Sequence, residues 1–281
     1  MPPASSLAPS APDDHGADRF LAVAGARLRY RDQGAGAPVV LVHGWTLDLE
    51  MWDGQVDALR DEFRLVRFDR RGHGLSRAPG GRQSGGLRRD GADLAALCRH
   101  LRLGRVALLG MSQGVRAVLD LACSAPERVR ALILDGPPAF DLSAGDPEVP
   151  LARYRQLVMG GGIESFRREW ARHPLMQLRT RAPAARRLLA AMMARYHGDD
   201  LAHPGQADRR QPAPQLESLR APTLILNGAF DLPSRTRAAR WLLARLPGAE
   251  HASVPNAGHL PNLDNPAAYN ALCRAFLNRH A

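Results

Sequence analysis

Ser112 stands between two glycines in LLGMSQGVRA (108–117), and a serine so flanked can act as a nucleophile if the backbone around it is right. Before it, RVALL (105–109) is short, branched and apolar, the composition of a buried parallel strand. After it, VRAVLDLACSAPERV repeats apolar residues at helical spacing. The pattern predicts a sharp strand-to-helix turn at Ser112. Such a turn strains the backbone and admits only glycine at Gly110 and Gly114, where strand and helix approach closely. It also lifts the hydroxyl to the helix N-terminus, where backbone N–H groups without intrahelical acceptors face developing negative charge.

A serine hydroxyl is a weak nucleophile near neutral pH, so this reading demands a histidine base and an acid to orient it. PTLILNGAFD (222–231) reads as a buried strand followed by a glycine-containing turn, which delivers Asp231 at the strand's C-terminal end. ASVPNAGHLPNLDNP (252–266) gives a short strand and then a Gly-His pair on a loop, and His259 alone among the 10 histidines has that setting. The order Ser112, Asp231, His259 suits an open α/β sheet whose strand ends point into one crevice.

The elements that must position these residues follow from periodicity. RFLAVA and ARLRYRD form a hairpin around Gly25, and PVVLVHG, RLVRFD, RVALLG, RALILDG, PTLILNG and EHASV are further strands. Helices are expected at MWDGQVDALRDEF, at 87–103 with Leu87, Leu94, Leu97 and Leu101 on one face, after Ser112, at about 234–246 and at about 266–278. Strands alternating with helices indicate a mostly parallel sheet of about eight strands with helices on both faces. Residues 139–213 break the alternation with ARYRQLVMGG, GIESFRREWARHPLM and APAARRLLAAMMARY, which read as helices lying on one another.

With these motifs in place the chain resembles the α/β-hydrolase superfamily, in its branch of small serine hydrolases with a helical cap, over about residues 19–279. HGWTLDLEMW (43–52), DRRGHGLS (69–76), APERVRALILDGPP (125–138) and NAGHLPNLDNP (256–266) match the family in order. The resemblance implies an α/β-hydrolase fold with a helical cap after strand six. It divides the chain into a tail (1–18), a first core part (19–138), the cap (139–213) and a second core part (214–281). It implies the backbone N–H groups of Trp45 and Gln113 as oxyanion donors and no cofactor. Asp135 competes as the acid, because a subset of the family places it after strand six; GAFD reproduces the commoner pattern and favours Asp231. His43 and His73 are expected to brace their loops. Phe166, Trp170, Leu175, Met176, Met192 and Met193 are candidate pocket lining, although any one of them taken singly is expected in the cap's own core. The implied activity is hydrolysis of a carboxylic ester, thioester or lactone of a small organic substrate. Carbon–carbon bond hydrolysis of a keto acid, perhydrolase or cofactor-free haloperoxidase chemistry on the same triad, and a non-catalytic ligand-binding role are the alternatives.

Composition narrows the class further. The 281 residues are 45% hydrophobic, enough for one large core. The net charge of +10 comes from 38 basic residues that are all arginine and spread along the chain, so no nucleic-acid partner is expected. Cys98, Cys123 and Cys273 fall in helices and read as small buried hydrophobes, which fits a reducing, cytoplasmic setting. No apolar run approaches the ~18 residues of a membrane span, and the Pro/Ser/Ala-rich first residues carry neither signal-peptide nor anchor pattern. The remaining histidines lack metal-site spacing, so no metal is expected. The protein is expected as a monomer or homodimer with no membrane partner.

Overall fold

The apolar runs become the strands of a single sheet. The computed structural model describes residues 16–78, 87–140, 148–202 and 216–281. Its strands are β1 (Arg19–Val23), β2 (Ala26–Gln33), β3 (Ala37–Val42), β4 (Phe63–Phe68), β5 (Val106–Met111), β6 (Val129–Asp135), β7 (Thr223–Gly228) and β8 (Glu250–Val254). They lie in the order β1-β2-β4-β3-β5-β6-β7-β8. The β1–β2 and β2–β4 pairs are antiparallel and the others parallel.

Side chains alternate across the sheet with a period of two. Val39, Leu41, Leu109, Ile133 and Leu226 enter one apolar layer. Val40, Val42, Leu108, Leu132 and Ile225 enter the other. Both faces are covered, which is why the central strands read as unbroken apolar runs. The first layer is closed by α1 (Asp53–Leu59) and α9 (Pro266–His280), through Val56, Leu59, Tyr269, Cys273 and Phe276. The second is closed by α2 (Leu87–His100), α3 (Gln113–Ser124) and α7 (Pro233–Leu243), through Leu94, Leu97, Val115, Val118, Ala239 and Leu242. Each Val, Leu or Phe among them contributes roughly 1.5–3 kcal/mol on full burial.

Helix α2 stops before the end expected from its apolar pattern. Arg102 takes φ 51, and the N–H groups of Arg102 and Leu103 donate back to Arg99 O (3.0 Å) and Cys98 O (2.9 Å). That is a left-handed helix cap with arginine where glycine is usual. The same helix fixes the loop after β4 through buried ion pairs, Arg70 with Asp90 and Arg71 with Asp93.

Between β6 and β7 come α4 (Leu151–Trp170), α5 (Pro183–Arg195) and the short α6 (Asp199–Ala202). Helix α4 is broken at Gly162 (φ 72, ψ 174), so it runs as the two segments expected from sequence. The short α8 (Pro261–Asp264) precedes α9. The boundaries set at 139 and 213 are flanked by 141–147 and 203–215, which lie outside the described residues, as does residues 1–15 of the expected tail. The last residue of that tail, Asp18, accepts a hydrogen bond from Arg31 Nε at 2.7 Å. Among the described residues no helix is long and apolar enough to cross a membrane.

Candidate active site

Ser112 links β5 to α3 with φ 50 and ψ −118, a conformation that L-residues seldom adopt. Two contacts enforce it. A Cβ on Gly110 would lie 2.6 Å from Gly114 O, and one on Gly114 would lie 2.3 Å from Val42 O. Ser112 N–H donates to Asp135 O at 2.8 Å, and Ser112 O accepts from Val115 N–H at 2.9 Å. Strand and helix therefore pin the serine from both sides.

Asp231 lies in the turn after β7, and that turn is zipped to the histidine loop. Ala229 N–H donates to Val254 O and Phe230 N–H to Ala257 O, both at 2.9 Å. Asp231 Oδ1 accepts from His259 Nδ1 at 3.0 Å and from Leu232 N–H at 2.8 Å, while Oδ2 accepts from Asn227 Nδ2 at 3.0 Å. Burial pushes the Asp231 carboxyl up, but the His259 ring and these donors outweigh it and hold the group below the usual carboxylate range. The imidazole of His259 packs on Gly136, where an added Cβ would be 2.9 Å from Cε1. Since Gly136 follows the residue that receives the Ser112 N–H, imidazole and serine flank the end of one strand.

Asp135 is not on the histidine. It is fully buried, accepts only from Tyr269 OH (Oδ2, 3.1 Å) and has no partner for Oδ1 among the described residues. Burial, reinforced by the Asp231 charge, pushes its carboxyl well above the usual carboxylate range. His43 Nδ1 donates to Gly44 O (2.7 Å) and Nε2 accepts from Arg70 N–H (2.8 Å). Burial and the nearby His73 and Arg70 hold His43 well below its ordinary value, so it is a neutral brace. His73 Nδ1 bonds Arg71 O at 3.1 Å and likewise braces its loop.

The loop after β3 runs beside the serine, since a Cβ on Gly44 would be 3.3 Å from Ser112 Cβ. Among the described residues nothing accepts a hydrogen bond from the backbone N–H of Trp45 or of Gln113, the first residue of α3. The next residue, Thr46, has φ 63. The inserted helices reach this loop directly: Trp170 Nε1 donates to Thr46 Oγ1 (2.8 Å), and Trp45 Nε1 donates to Asp200 Oδ2 (2.7 Å). Tyr196 OH donates to the other oxygen of Asp200. Arg195 reaches Asp48 Oδ2 at 2.8 Å and also pairs with Glu50.

Phe166, Trp170, Leu175, Met176, Met192 and Met193 are all buried in the one apolar cluster that contains Trp45 and Met111. Phe166 and Trp170 place their rings 5.5 and 4.9 Å from Trp45. They pack against the loop that borders the serine as well as against one another.

Sequence reasoning missed Thr46, Tyr196, Asp200 and Asp264. Asp264 Oδ1 accepts from Arg179 and Thr180 N–H (2.7 and 2.9 Å), and Oδ2 accepts from Gly258 N–H (2.8 Å). It ties the inserted segment to the residue before His259. Its place in NLDNP reads only as a turn acid, and no spacing rule marks the others. Among the described residues no three His, Cys, Asp or Glu side chains gather as a metal site.

Comparison with known proteins agrees with this architecture. A family profile described as "alpha/beta hydrolase fold" matches residues 37–157. The pimeloyl-[acyl-carrier protein] methyl ester esterase of Pectobacterium atrosepticum is 30% identical over 266 residues, covering 89% of this chain and 98% of that protein. The solved structure of a hydrolase from Pseudomonas aeruginosa superposes with a TM-score of 0.78 at 30% identity, covering 94% of this chain and 99% of the other. A thermophilic esterase from Thermogutta terrifontis superposes with a TM-score of 0.79 at 29% identity, with the same coverage of 94% and 99%. The chain belongs to the α/β-hydrolase fold family.

Proposed function

We propose that the protein is a serine hydrolase that cleaves a carboxylic ester, thioester or lactone of a small organic substrate through an acyl-enzyme. The observations that carry this reading are the strained Ser112 at the start of α3, whose N–H is held by Asp135 O, and the His259 imidazole, which packs on the next residue, Gly136, and is bonded through Nδ1 to a buried, ionised Asp231. Ser112 Oγ attacks the acyl carbon while His259 Nε2 takes its proton, and Asp231 fixes the imidazole tautomer and stabilises the imidazolium. The oxyanion is held by the N–H groups of Trp45 and Gln113, which have no other described acceptor; in comparable sites one such donor contributes roughly 3–4 kcal/mol. Collapse expels the alcohol, thiol or ring oxygen, which receives the proton from His259. Water then attacks the acyl-enzyme with His259 as base, the Ser112–acyl bond breaks, and the carboxylic acid leaves.

In this reading the segment 139–213 acts as a cap, and Phe166, Trp170, Met176 and Met192 shape the acyl pocket from its inner side. Esterase relatives that span almost the whole chain support ester hydrolysis, while a "Putative non-heme chloroperoxidase" of Synechocystis, 30% identical over 89% of this chain, keeps haloperoxidase chemistry on the same triad as the second reading. The test is covalent labelling by a fluorophosphonate probe alongside turnover of p-nitrophenyl esters. Wild type should label and turn over, and Ser112→Ala should do neither. An unlabelled wild type would instead favour a ligand-binding member of the fold.

A further inference from the structure

Two consecutive residues of the loop after β3 are held from the inserted segment, and the second of them is strained. Thr46 is 1% exposed and has φ 63, a region where a β-branched residue is an outlier. Such a conformation persists only where the surroundings over-determine it. Here they are specific. Trp170 Nε1 donates to Thr46 Oγ1 at 2.8 Å, and Trp45 Nε1 donates to Asp200 Oδ2 at 2.7 Å, with Tyr196 OH on the second oxygen of Asp200. The Trp45 ring is also wedged between Trp170 (4.9 Å) and Tyr196 (6.0 Å). Relaxing φ of Thr46 to an ordinary negative value would turn the Trp45–Thr46 peptide relative to the chain that follows, and the Trp45 N–H would travel with it.

We propose that Trp170 and Asp200, with Tyr196 behind them, are positioning residues of the oxyanion hole: they hold the strained Trp45–Thr46 turn so that the Trp45 backbone N–H stays aimed at the developing oxyanion. This rests on the reading of Ser112 as nucleophile and of Trp45 as a donor. A hole of this kind acts by preorganisation, so a donor moved by a fraction of an ångström weakens the tetrahedral state and leaves substrate binding nearly untouched. The inserted segment thereby contributes to kcat and not only to the fit of the acyl group.

The experiment uses the full chain as wild type, Trp170→Phe, Thr46→Val, Thr46→Ser and the double variant Trp170→Phe/Thr46→Val. Phe keeps an aromatic ring without the donor; Val keeps the β-branch without the acceptor; Ser keeps the acceptor without the branch. On a short-chain p-nitrophenyl ester, Trp170→Phe and Thr46→Val are each expected to lower kcat about tenfold to fiftyfold, below the ~10²–10³ that follows outright loss of a donor. KM should stay within about twofold in Thr46→Val, whereas in Trp170→Phe it also reports the changed acyl pocket; in both, affinity for phenylboronic acid, whose serine adduct is tetrahedral and anionic, should fall by at least the factor lost from kcat. Thr46→Ser should remain within about threefold of wild type, and the double variant should be no worse than the poorer single one, because each removes the same bond. An unchanged kcat, a loss carried by KM alone, or multiplicative losses in the double variant would overturn the proposal. So would a Thr46→Val protein that cannot be obtained folded beside a normal Thr46→Ser, since the bond would then serve stability. A wild type that neither labels with fluorophosphonate nor turns over esters would overturn the nucleophile reading instead.

Discussion

Ser112, Asp231 and His259 are placed by backbone, whereas helices α4 to α6 are placed largely by side chains. The serine is locked by the contact of Gly114 with Val42 O, and the aspartate and histidine loops are zipped by main-chain hydrogen bonds from Ala229 and Phe230. The inserted segment instead reaches the rest of the molecule through side chains such as Trp170, Asp200 and Arg195, and through the carboxylate of Asp264 that receives its backbone, polar groups that each make one to three bonds. The first region should keep its geometry when surface side chains change. The second should loosen one bond at a time.

The largest test of that contrast lies in the first region. Ser112→Ala and His259→Ala should each lower kcat by roughly 10⁴–10⁶ with an unchanged melting profile, and the double variant should lose little more, because the group acts as a unit. More than a tenth of wild-type turnover in Ser112→Ala would break the assignment. Asp231→Asn should cost about 10⁴ in kcat through the wrong histidine tautomer, while Asp135→Asn should stay within a few-fold. The opposite ranking of measured rates would move the acid to the end of β6.

Asp264 joins the two regions, and Asp264→Ala leaves three backbone N–H groups without their acceptor; the buried one, Gly258, costs about 1–3 kcal/mol, while the more exposed Arg179 and Thr180 can turn to water. The expected result is a fall in melting temperature together with about a tenfold loss of kcat. A variant that melts early but turns over normally would show that the histidine loop needs no support from the inserted segment.

Asp135 gives a pH-dependent test. Its folded pKa is raised above its unfolded value, so its contribution to stability is fully present below about pH 4 and is lost as pH rises toward the raised value. Asp135→Asn, which has no charge to form, should therefore gain stability over wild type as pH rises from about 4, read as a widening gap in Tm. Parallel melting curves across that range would refute the raised pKa. Asp231 runs the other way: its lowered pKa gives stability above about pH 4 that is lost on acidification. The smallest effect belongs to Arg195→Ala, which frees a partly exposed ion pair worth about 1 kcal/mol or less. It should speed protease cleavage within α4–α6 and leave the global melt in place.

The same division sets what the sequence could disclose. A strand, a glycine turn and a helix are local patterns, so Ser112, Asp231, His259 and all eight strands could be read in order. Arg195 and Arg167 could not, because a long side chain that crosses to another loop leaves no period behind it. Arg195 binds Asp48 and Glu50, and Arg167 Nε donates to Tyr196 O at 3.2 Å. Asp200 is likewise recognisable as the acceptor for Trp45 only once α6 lies against the loop after β3. The pocket candidates were legible as buried, but their apolar pattern is the same for lining and for core.

The carboxylate of Asp264 has one more consequence. Arg179 and Thr180 are neighbours that lie far from Gly258 in the chain, yet the three amides share one carboxylate. Parting the inserted segment from the histidine loop removes the acceptor from all three at once. They should exchange as one cooperative unit, at a common rate set by parting the two segments. The histidine loop and the inserted helices then open on one clock.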